Sequence, residues 1–247
     1  HDNFKSKTRT RDAMKEELEV KILDIDENKL QRRIAELGGT QLFDGDMQTV
    51  SYEFSETGNT PLWLRREDET ARLAYVSNKQ CLFHETLVTD YDEARMILHD
   101  IGLDQRSGTN AYFAPRRAKK VEDRGMRLRL RTKGTYGELT LKKDVKKDTV
   151  KRALECETRV HDVAACRKIL LAFGMCEIKP YKKHRLEYAL DDGVKVAIDT
   201  VAGIPTFLEV EGPTIAFIED AVQRLGYTMA ETNTMSGRDV QRHYGVR

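Results

Sequence analysis

The sequence has little of what marks several large classes of protein. Of its 247 residues, 7% are aromatic, five are proline and one is tryptophan. No segment approaches the roughly 18 consecutive apolar residues that a membrane-spanning helix needs, and the first residues have no apolar core of the kind found in secretory signals. The sequence therefore predicts neither a membrane span nor secretion.

The cysteines form no recognisable framework. Cys81, Cys156, Cys166 and Cys176 include no C-x-x-C pair and no zinc-finger spacing with the six histidines. Disulfide-stabilised and zinc-stabilised folds are therefore disfavoured, and a reducing, cytoplasmic setting is expected. The signatures of P-loop, dinucleotide-binding and serine-hydrolase sites are missing as well, which disfavours those three enzyme classes.

Charge is abundant but balanced. Charged residues make up 34% of the chain, yet 42 basic residues nearly cancel 41 acidic ones and leave a net charge of +1. Bulk charge therefore does not predict binding to nucleic acid or to a membrane, and any electrostatic function must come from local arrangement. With 39% apolar residues, the chain is long enough to bury a substantial core.

What the sequence does have is charge at every second residue of several predicted strands. Glu17, Glu19 and Lys21 alternate with apolar residues near the start, and residues 208–211 repeat this alternation near the end. Successive side chains of a strand point to opposite faces, so the charges share one face and the apolar residues the other. The same alternation occurs in 127–131, 138–142, 155–157 and 183–185. A sheet that collects acids and bases on one face is suited to hold metal ions and a polyanion.

The order of predicted elements favours an α+β fold. Further strands are predicted at 47–54, 111–114, 184–190, 194–199 and 206–211 from their aromatic and β-branched residues. Four segments have the apolar spacing of amphipathic helices, each ending near a glycine. Mostly antiparallel strands with charge on one face predict a closed β-barrel or tunnel, with helices packed on its apolar outside.

Part of the chain repeats itself. Residues 85–103 align without gaps with residues 157–175, and eight of the nineteen positions are identical. The similarity predicts an internal duplication or insertion at about 61–110, within a single domain of residues 14–247. Residues 1–13 are expected to be a flexible basic tail or a cloning remnant. Trp63 takes the place of Arg129 in the first copy and is expected to pack in the core.

Taken in order, the charged motifs resemble those of the CYTH domains, or triphosphate tunnel metalloenzymes. The hallmark of that superfamily is an E-x-E-x-K strand, and six further elements of its pattern follow here. The matching residues are Glu17, Glu19 and Lys21, then Arg129 and Arg131, Lys142, Glu155 and Glu157, Lys183 and Arg185, Asp199, and finally Glu209 and Glu211. The resemblance covers about 17–54 and 111–245, and Ala114 departs from it by replacing an aspartate.

The resemblance implies a closed tunnel in which basic residues bind phosphate and acidic residues bind a metal ion. Phosphate binding falls to Lys21, Arg129, Arg131, Lys142, Lys183 and Arg185, because guanidinium and ammonium groups bind phosphate oxygens. Metal binding, with Mg²⁺ or Mn²⁺ as the cofactor, falls to Glu17, Glu19, Glu157, Asp199, Glu209 and Glu211. Catalytic roles are expected for Lys21, Glu157 and Lys142.

The function implied is metal-dependent hydrolysis of a linear triphosphate, with inorganic tripolyphosphate as the preferred substrate. A class IV-type adenylyl cyclase and a nucleoside or RNA triphosphatase are alternatives that use the same site. An alternative of another class is a non-catalytic module that binds polyphosphate or a phosphorylated ligand. No membrane partner is expected, and no nucleic acid other than a 5′-triphosphate end. The oligomeric state stays open, a homodimer included.

Overall fold

A computed structural model describes residues 14–54, 62–77, 82–105, 111–113 and 125–246. The predicted basic tail at 1–13, Cys81 and Ala114 lie outside these ranges. Within them, no helix is both long and apolar enough to cross a membrane.

The chain alternates strands with short helices. The strands are β1 (Lys15–Ile22), β2 (Thr40–Phe54), β3 (Leu62–Glu67), β4 (Thr70–Ser77), β5 (Leu82–Val88), β6 (Asp104–Gln105), β7 (Ala111–Phe113), β8 (Met126–Lys133), β9 (Tyr136–Lys147), β10 (Lys151–Val160), β11 (Met175–Ala189), β12 (Lys195–Thr200), β13 (Phe207–Gly212) and β14 (Thr232–Asn233). The helices are α1 (Glu27–Glu36), α2 (Tyr91–Asp100), α3 (Val163–Ala172), α4 (Ile215–Arg224) and α5 (Gly237–His243).

Eight of the strands form a closed barrel. Their order is β1, β13, β12, β11, β2, β8, β9 and β10, and β10 pairs back with β1 through Glu17 and Ala153, among others. Every one of these pairings is antiparallel. The predicted α+β class and the closed antiparallel barrel with external helices are confirmed.

The apolar halves of the alternating strands form the core outside the barrel. Val20 and Val210, on the first and last barrel strands, are fully buried together with Ile34 of α1 and Ile218 of α4. A second cluster joins β8, β9 and β10 to α2 and α3. Because the apolar faces are covered by helices, the charged faces turn into the barrel.

One helix was not predicted. The short α5 begins at Ser236, whose side chain and that of Asp239 form a reciprocal capping box. Only Val240 of this helix is buried, and it packs against Phe207. A single buried residue produces no three-to-four apolar spacing, so the sequence pattern could not reveal the helix.

The segments compared in the repeat pack against each other across a local two-fold relation. The order of strands around them is β8, β9, β10, β5, β4, β3, and Val160 of β10 pairs with Val88 of β5. Two backbone hydrogen bonds join the segments, and they are equivalent in the alignment of the repeat: the donor of one aligns with the donor of the other, and the acceptors align likewise. Thr89 N donates to Arg159 O at 2.9 Å, and His161 N donates to Leu87 O at 3.0 Å. An internal duplication predicts such reciprocity, and the duplication and the domain division stay predictions.

The expectation for Trp63 was wrong. Its side chain is 37% exposed, because it lies on the face of β3 that corresponds to the tunnel wall of β8, and the described residues close no second barrel over that face. Pairing registers also refine the comparison of the copies. Trp63 pairs with Ala74 as Arg129 pairs with Thr140, and Val76 rather than Ser77 occupies the position of Lys142.

The reciprocal contacts allow a stability test. Buried Thr86 accepts a hydrogen bond from Asp162 N at 3.1 Å, and its counterpart Thr158 accepts one from Asp90 N at 3.2 Å. We expect Thr86→Val and Thr158→Val each to lower the free energy of unfolding by about 1 kcal/mol, because each leaves one amide unsatisfied. Urea denaturation measures this, with exposed Thr40→Val as the control. Markedly unequal losses would contradict the two-fold relation.

Candidate active site

The barrel encloses a cavity of about 650 Å³ whose wall carries the predicted site residues. All twelve contribute to it: Glu17, Glu19, Lys21, Arg129, Arg131, Lys142, Glu157, Lys183, Arg185, Asp199, Glu209 and Glu211. The structure thus brings together side chains that lie up to 194 positions apart in the sequence, from Glu17 to Glu211. Their individual roles in binding and catalysis stay predictions.

Strand pairing explains why the acids from the two ends of the chain meet. In the register of β1 with β13, Glu19 lies opposite Glu211 and Lys21 lies opposite Glu209. On the other side of β1, Glu19 lies opposite Lys151 of β10. Paired residues in antiparallel strands have side chains on the same face, so these charges all enter the tunnel.

Several charged residues that line the cavity were given no role from the sequence. They are Lys15, Glu16, Glu93, Arg127, Lys133, Glu138, Lys151, Glu155, Glu187, Lys195 and Arg238. Glu138 and Glu155 belong to the alternating pattern found in the sequence, and Lys151 continues that pattern on β10. Glu93 comes from α2, and no local pattern indicates that it reaches the tunnel.

The cavity wall is close to neutral. Its lining residues include twelve lysines and arginines and eleven acids. Lysines hold the acids of β1 and β13: Lys21 Nζ lies 3.0 Å from Glu19 and 2.9 Å from Glu209. Lys151 also binds Glu19, and Lys142 binds Glu17. Each buried carboxylate in this group therefore has an ammonium partner, as burial of charge requires.

A second network surrounds Asp199, which is completely buried. Arg185 binds it through two parallel contacts, Nε to Oδ1 and Nη2 to Oδ2, both 2.7 Å long. Lys183 Nζ lies 2.7 Å from the same carboxylate, and Arg185 also reaches Glu209 at 3.0 Å. This aspartate positions the arginine and the lysine beside it, as well as being a candidate metal ligand.

Two of the three arginines of β8, Arg129 and Arg131, keep unused donors in the tunnel. Arg129 binds Glu155, and Arg131 binds Glu138 at 3.1 Å. The Nε atoms of both arginines are buried and have no hydrogen-bond partner among the described residues. A buried N–H without an acceptor is costly. These two donors therefore indicate a ligand that brings acceptor oxygens.

Burial and neighbouring charge shift the pKa values of the tunnel residues in opposite directions. Burial is the largest influence on the pKa of Glu19 and would raise it, but the ammonium groups of Lys21, Lys142 and Lys151 together outweigh burial and hold that pKa well below its usual range. Burial, together with Arg185, lowers the pKa of Lys183 to about 8. Burial, together with Glu138, raises the pKa of Glu157, whose carboxylate accepts a hydrogen bond from the Thr140 hydroxyl at 2.8 Å.

Glu211 differs from the other acids of the tunnel. Within the described ranges, no lysine or arginine nitrogen lies within 4 Å of its carboxylate. Burial, followed by the nearby charge of Glu17, raises its pKa to about 7. Lys195, which lies opposite Glu211 on β12, offsets this rise only in part. A largely buried acid that faces other acids and forms no close ion pair in the described ranges is a fitting ligand for a divalent metal ion.

The donor set fits Mg²⁺ or Mn²⁺ in chemistry, although its groups are arranged around lysines. Hard divalent cations take carboxylate oxygens, and Glu17, Glu19 and Glu211 supply them from paired strands. Among the described residues, no three acidic, histidine or cysteine side chains already converge in a metal-binding arrangement. The reason lies in the ion pairs, since Lys142, Lys151 and Lys21 neutralise the acids in place of a metal.

Comparisons with known proteins agree with the architecture. Neither a protein-family model nor a curated protein sequence matches the chain. Among solved structures, the PH1012 protein from Pyrococcus horikoshii is 16% identical with a TM-score of 0.54, covering 91% of this chain and 98% of its own. A candidate adenylate cyclase from Vibrio parahaemolyticus is 10% identical with a TM-score of 0.55, covering 92% and 97%. These likenesses confirm the fold.

A third neighbour in fold is a conserved hypothetical protein from Pyrococcus furiosus, 12% identical with a TM-score of 0.53. It covers 91% of this chain and 99% of its own length. At such identities the likeness concerns the fold, while the residues of the tunnel must be judged from this chain itself.

The raised pKa of Glu211 predicts a pH-dependent effect on stability. Its folded-state pKa of about 7 lies above the ordinary value of 4.5, so the stability it contributes is complete below 4.5 and is lost as the pH rises through 7. In buffer with EDTA, we expect Glu211→Gln to raise the Tm at pH 8, with the difference shrinking towards pH 5. Thermal denaturation measures it, with exposed Glu219→Gln as the control. A lower Tm for Glu211→Gln at pH 8 would contradict the assignment.

Proposed function

We propose that the protein is a divalent-metal-dependent hydrolase of a linear triphosphate bound inside the tunnel. The observation that carries the proposal is the pair of unsatisfied, buried Nε donors of Arg129 and Arg131 within a wall of alternating acids and bases. A phosphate chain supplies the missing acceptors and the negative charge, and a cation supplies what the carboxylates need.

Phosphate binding is assigned to basic residues on four sides of the tunnel. Arg129 and Arg131 approach from β8, Lys142 from β9, Lys183 and Arg185 from β11, and Lys21 from β1. Arginines offer planar, bidentate donors for phosphate oxygens, and lysines act as compact charges. Cations on several strands can surround a chain of phosphates, which suits a linear substrate better than a single phosphate group.

Binding of the phosphate chain would replace two ion pairs of the tunnel wall. Lys142 is paired with Glu17, and Lys21 is paired with Glu209. When a phosphate chain attracts these lysines, the carboxylates lose their partners and become available to Mg²⁺ or Mn²⁺. Glu17, Glu19, Glu209 and Glu211 would hold the metal, with Glu157 and Asp199 beside them. The metal's contribution would be neutralisation of phosphate charge and activation of a water molecule.

The chain's own residues would supply the remaining steps. Lys21 and Lys142 are buried, with exposed fractions of 3% and 5%, so their charges act on the phosphates with little screening by water. The pKa of Glu157 is raised, which makes its carboxylate a stronger base that can accept a proton from the attacking water. Thr140 fixes the orientation of that carboxylate through its hydroxyl.

The alternative functions differ from the proposed hydrolase in the nucleophile, in the substituent on the phosphate chain, or in whether the ligand is cleaved at all. One neighbour in fold is named as a candidate adenylate cyclase, and in cyclase chemistry a ribose hydroxyl would replace water. A nucleoside or RNA triphosphatase would cleave the same bond with a larger substituent on the chain. A binding module would retain ligand without cleavage. The acids beside the phosphate-binding residues favour catalysis, because a pure anion binder gains nothing from them.

Phosphate release tests the proposal directly. We expect hydrolysis of tripolyphosphate with Mg²⁺ or Mn²⁺, its loss in EDTA, and a fall of at least about a hundredfold in Glu19→Gln, because that change removes one metal ligand and its charge. The matched control is Glu219→Gln, an exposed glutamate on α4. Parallel assays with ATP and thiamine triphosphate rank the substrates.

The same assays separate the alternatives. Cyclic AMP from ATP, detected by chromatography, would support the cyclase instead. Tight binding of tripolyphosphate without turnover of any triphosphate would support the binding module. Because Glu19→Gln leaves Lys21 and Lys151 with less compensation, a second variant, Arg129→Lys, is needed. It preserves charge but loses the Nε donor, and unchanged activity and affinity in this variant would contradict the role of the arginine.

A further inference from the structure

Two aromatic rings, each with a cation over its face, lie at one end of the tunnel. Lys133 Nζ lies 5.1 Å from the centroid of the Phe43 ring. The guanidinium carbon of Arg159 lies 3.9 Å from the centroid of the Tyr136 ring. We call these four residues the aromatic rim. Both rings are only partly buried, and the proposed hydrolysis of tripolyphosphate uses neither of them.

Strand registers place the aromatic rim next to the charged cavity. Phe43 pairs with Glu187, Tyr136 pairs with Lys133, and Arg159 pairs with Glu138. Glu187, Lys133 and Glu138 all line the cavity. Since paired residues share a face, the two rings lie on the tunnel wall one row beyond Arg131 and Arg185. Lys133 joins this row to the cavity through ion pairs at 3.1 Å to Glu187 and 3.8 Å to Glu138.

Two glycines make room for Phe43. A Cβ at Gly45 would lie 3.3 Å from the tip of the ring, and a Cβ at Gly134 would lie 3.8 Å from its edge. Gly134 also has a φ of +59°, which a residue with a side chain rarely adopts. The chain thus leaves space for this ring between β2 and the turn that joins β8 to β9.

We propose that the aromatic rim is a binding site for the nucleobase of a nucleoside triphosphate whose phosphate chain occupies the tunnel. The inference rests on the proposed function and names its substrate class. Moving one row along a pair of strands covers about 7 Å, so the rim lies within a short distance of the phosphate-binding residues. A ribose that joins the base to the phosphate chain can span this distance. Stacking on aromatic rings is the ordinary way in which proteins hold bases.

The cations of the rim add selectivity. Lys133 and Arg159 favour a neutral, electron-rich base with acceptor atoms and oppose a ring that carries a positive charge. The rim therefore discriminates against an organic triphosphate with a cationic ring, such as thiamine triphosphate. Inorganic tripolyphosphate has no ring, so its binding is independent of the rim.

Equilibrium binding of ATP and of tripolyphosphate tests the proposal, measured by calorimetry in EDTA and again with Mg²⁺. We expect Phe43→Ala and Tyr136→Ala each to weaken ATP binding about tenfold, as loss of one stacking partner predicts, while tripolyphosphate binding stays within about twofold. Phe217→Ala is the matched control, since Phe217 is 38% exposed on α4 outside the barrel. We also expect Arg159→Gln to improve thiamine triphosphate binding severalfold.

Each result of these binding experiments either supports or overturns the proposed base site. Equal losses for ATP and tripolyphosphate, or no loss for either, would overturn the proposal, and so would the absence of ATP binding by the unmodified protein. Gly45→Ala provides a variant that keeps both rings but crowds Phe43, and it too should weaken ATP binding more than tripolyphosphate binding. If no triphosphate is hydrolysed while the ring substitutions still weaken ATP binding selectively, the hydrolase proposal fails and the base site stands.

Discussion

Compensation of buried charge is the constraint on which the structure depends. A closed sheet whose inner face carries acids and bases is stable only if most of these charges find partners, because an unpaired ion in the interior costs several kcal/mol. Asp199, fully buried between Arg185 and Lys183, shows how completely this is met. The alternation of signs along the strands is therefore a condition of folding as well as a means of binding ligand.

The places where compensation is incomplete point to function. In the described part of the chain, Arg129 and Arg131 each keep a buried N–H without an acceptor, and Glu211 forms no ion pair within 4 Å. Buried polar groups in native proteins normally have partners. Arginine donors without an acceptor and a carboxylate without a close ion pair, in the same cavity, favour a ligand that carries both negative and positive charge. A phosphate chain with its metal ion has that character.

The unit formed by β3, β4, β5 and α2 contributes to the tunnel from outside the barrel. Within the described residues, pairing between β1 and β10 extends from Lys15 to Glu19. Glu93 of α2 reaches the cavity wall, where burial and the charge of Asp90 raise its pKa. The unit thus has two surfaces: one contributes to the tunnel, and the other leaves Trp63 exposed on a sheet face that corresponds to a tunnel wall.

Sequence alone determined the faces of the strands, because alternation is a local property of extended chain: Glu19 and Glu211 could be assigned to the charged face from their immediate neighbours. The starts of α2 and α3 are local features as well, because the side chains of Asp90 and Asp162 cap their first turns. Only the tertiary structure decided which strands are neighbours, and so that Lys151 meets Glu19 and that Glu93 and Phe43 lie at the tunnel. Those relations depend on pairing between segments far apart in the chain, and α5 depends on a single buried valine. No local pattern encodes such contacts, since they are selected by the free energy of the whole packed barrel.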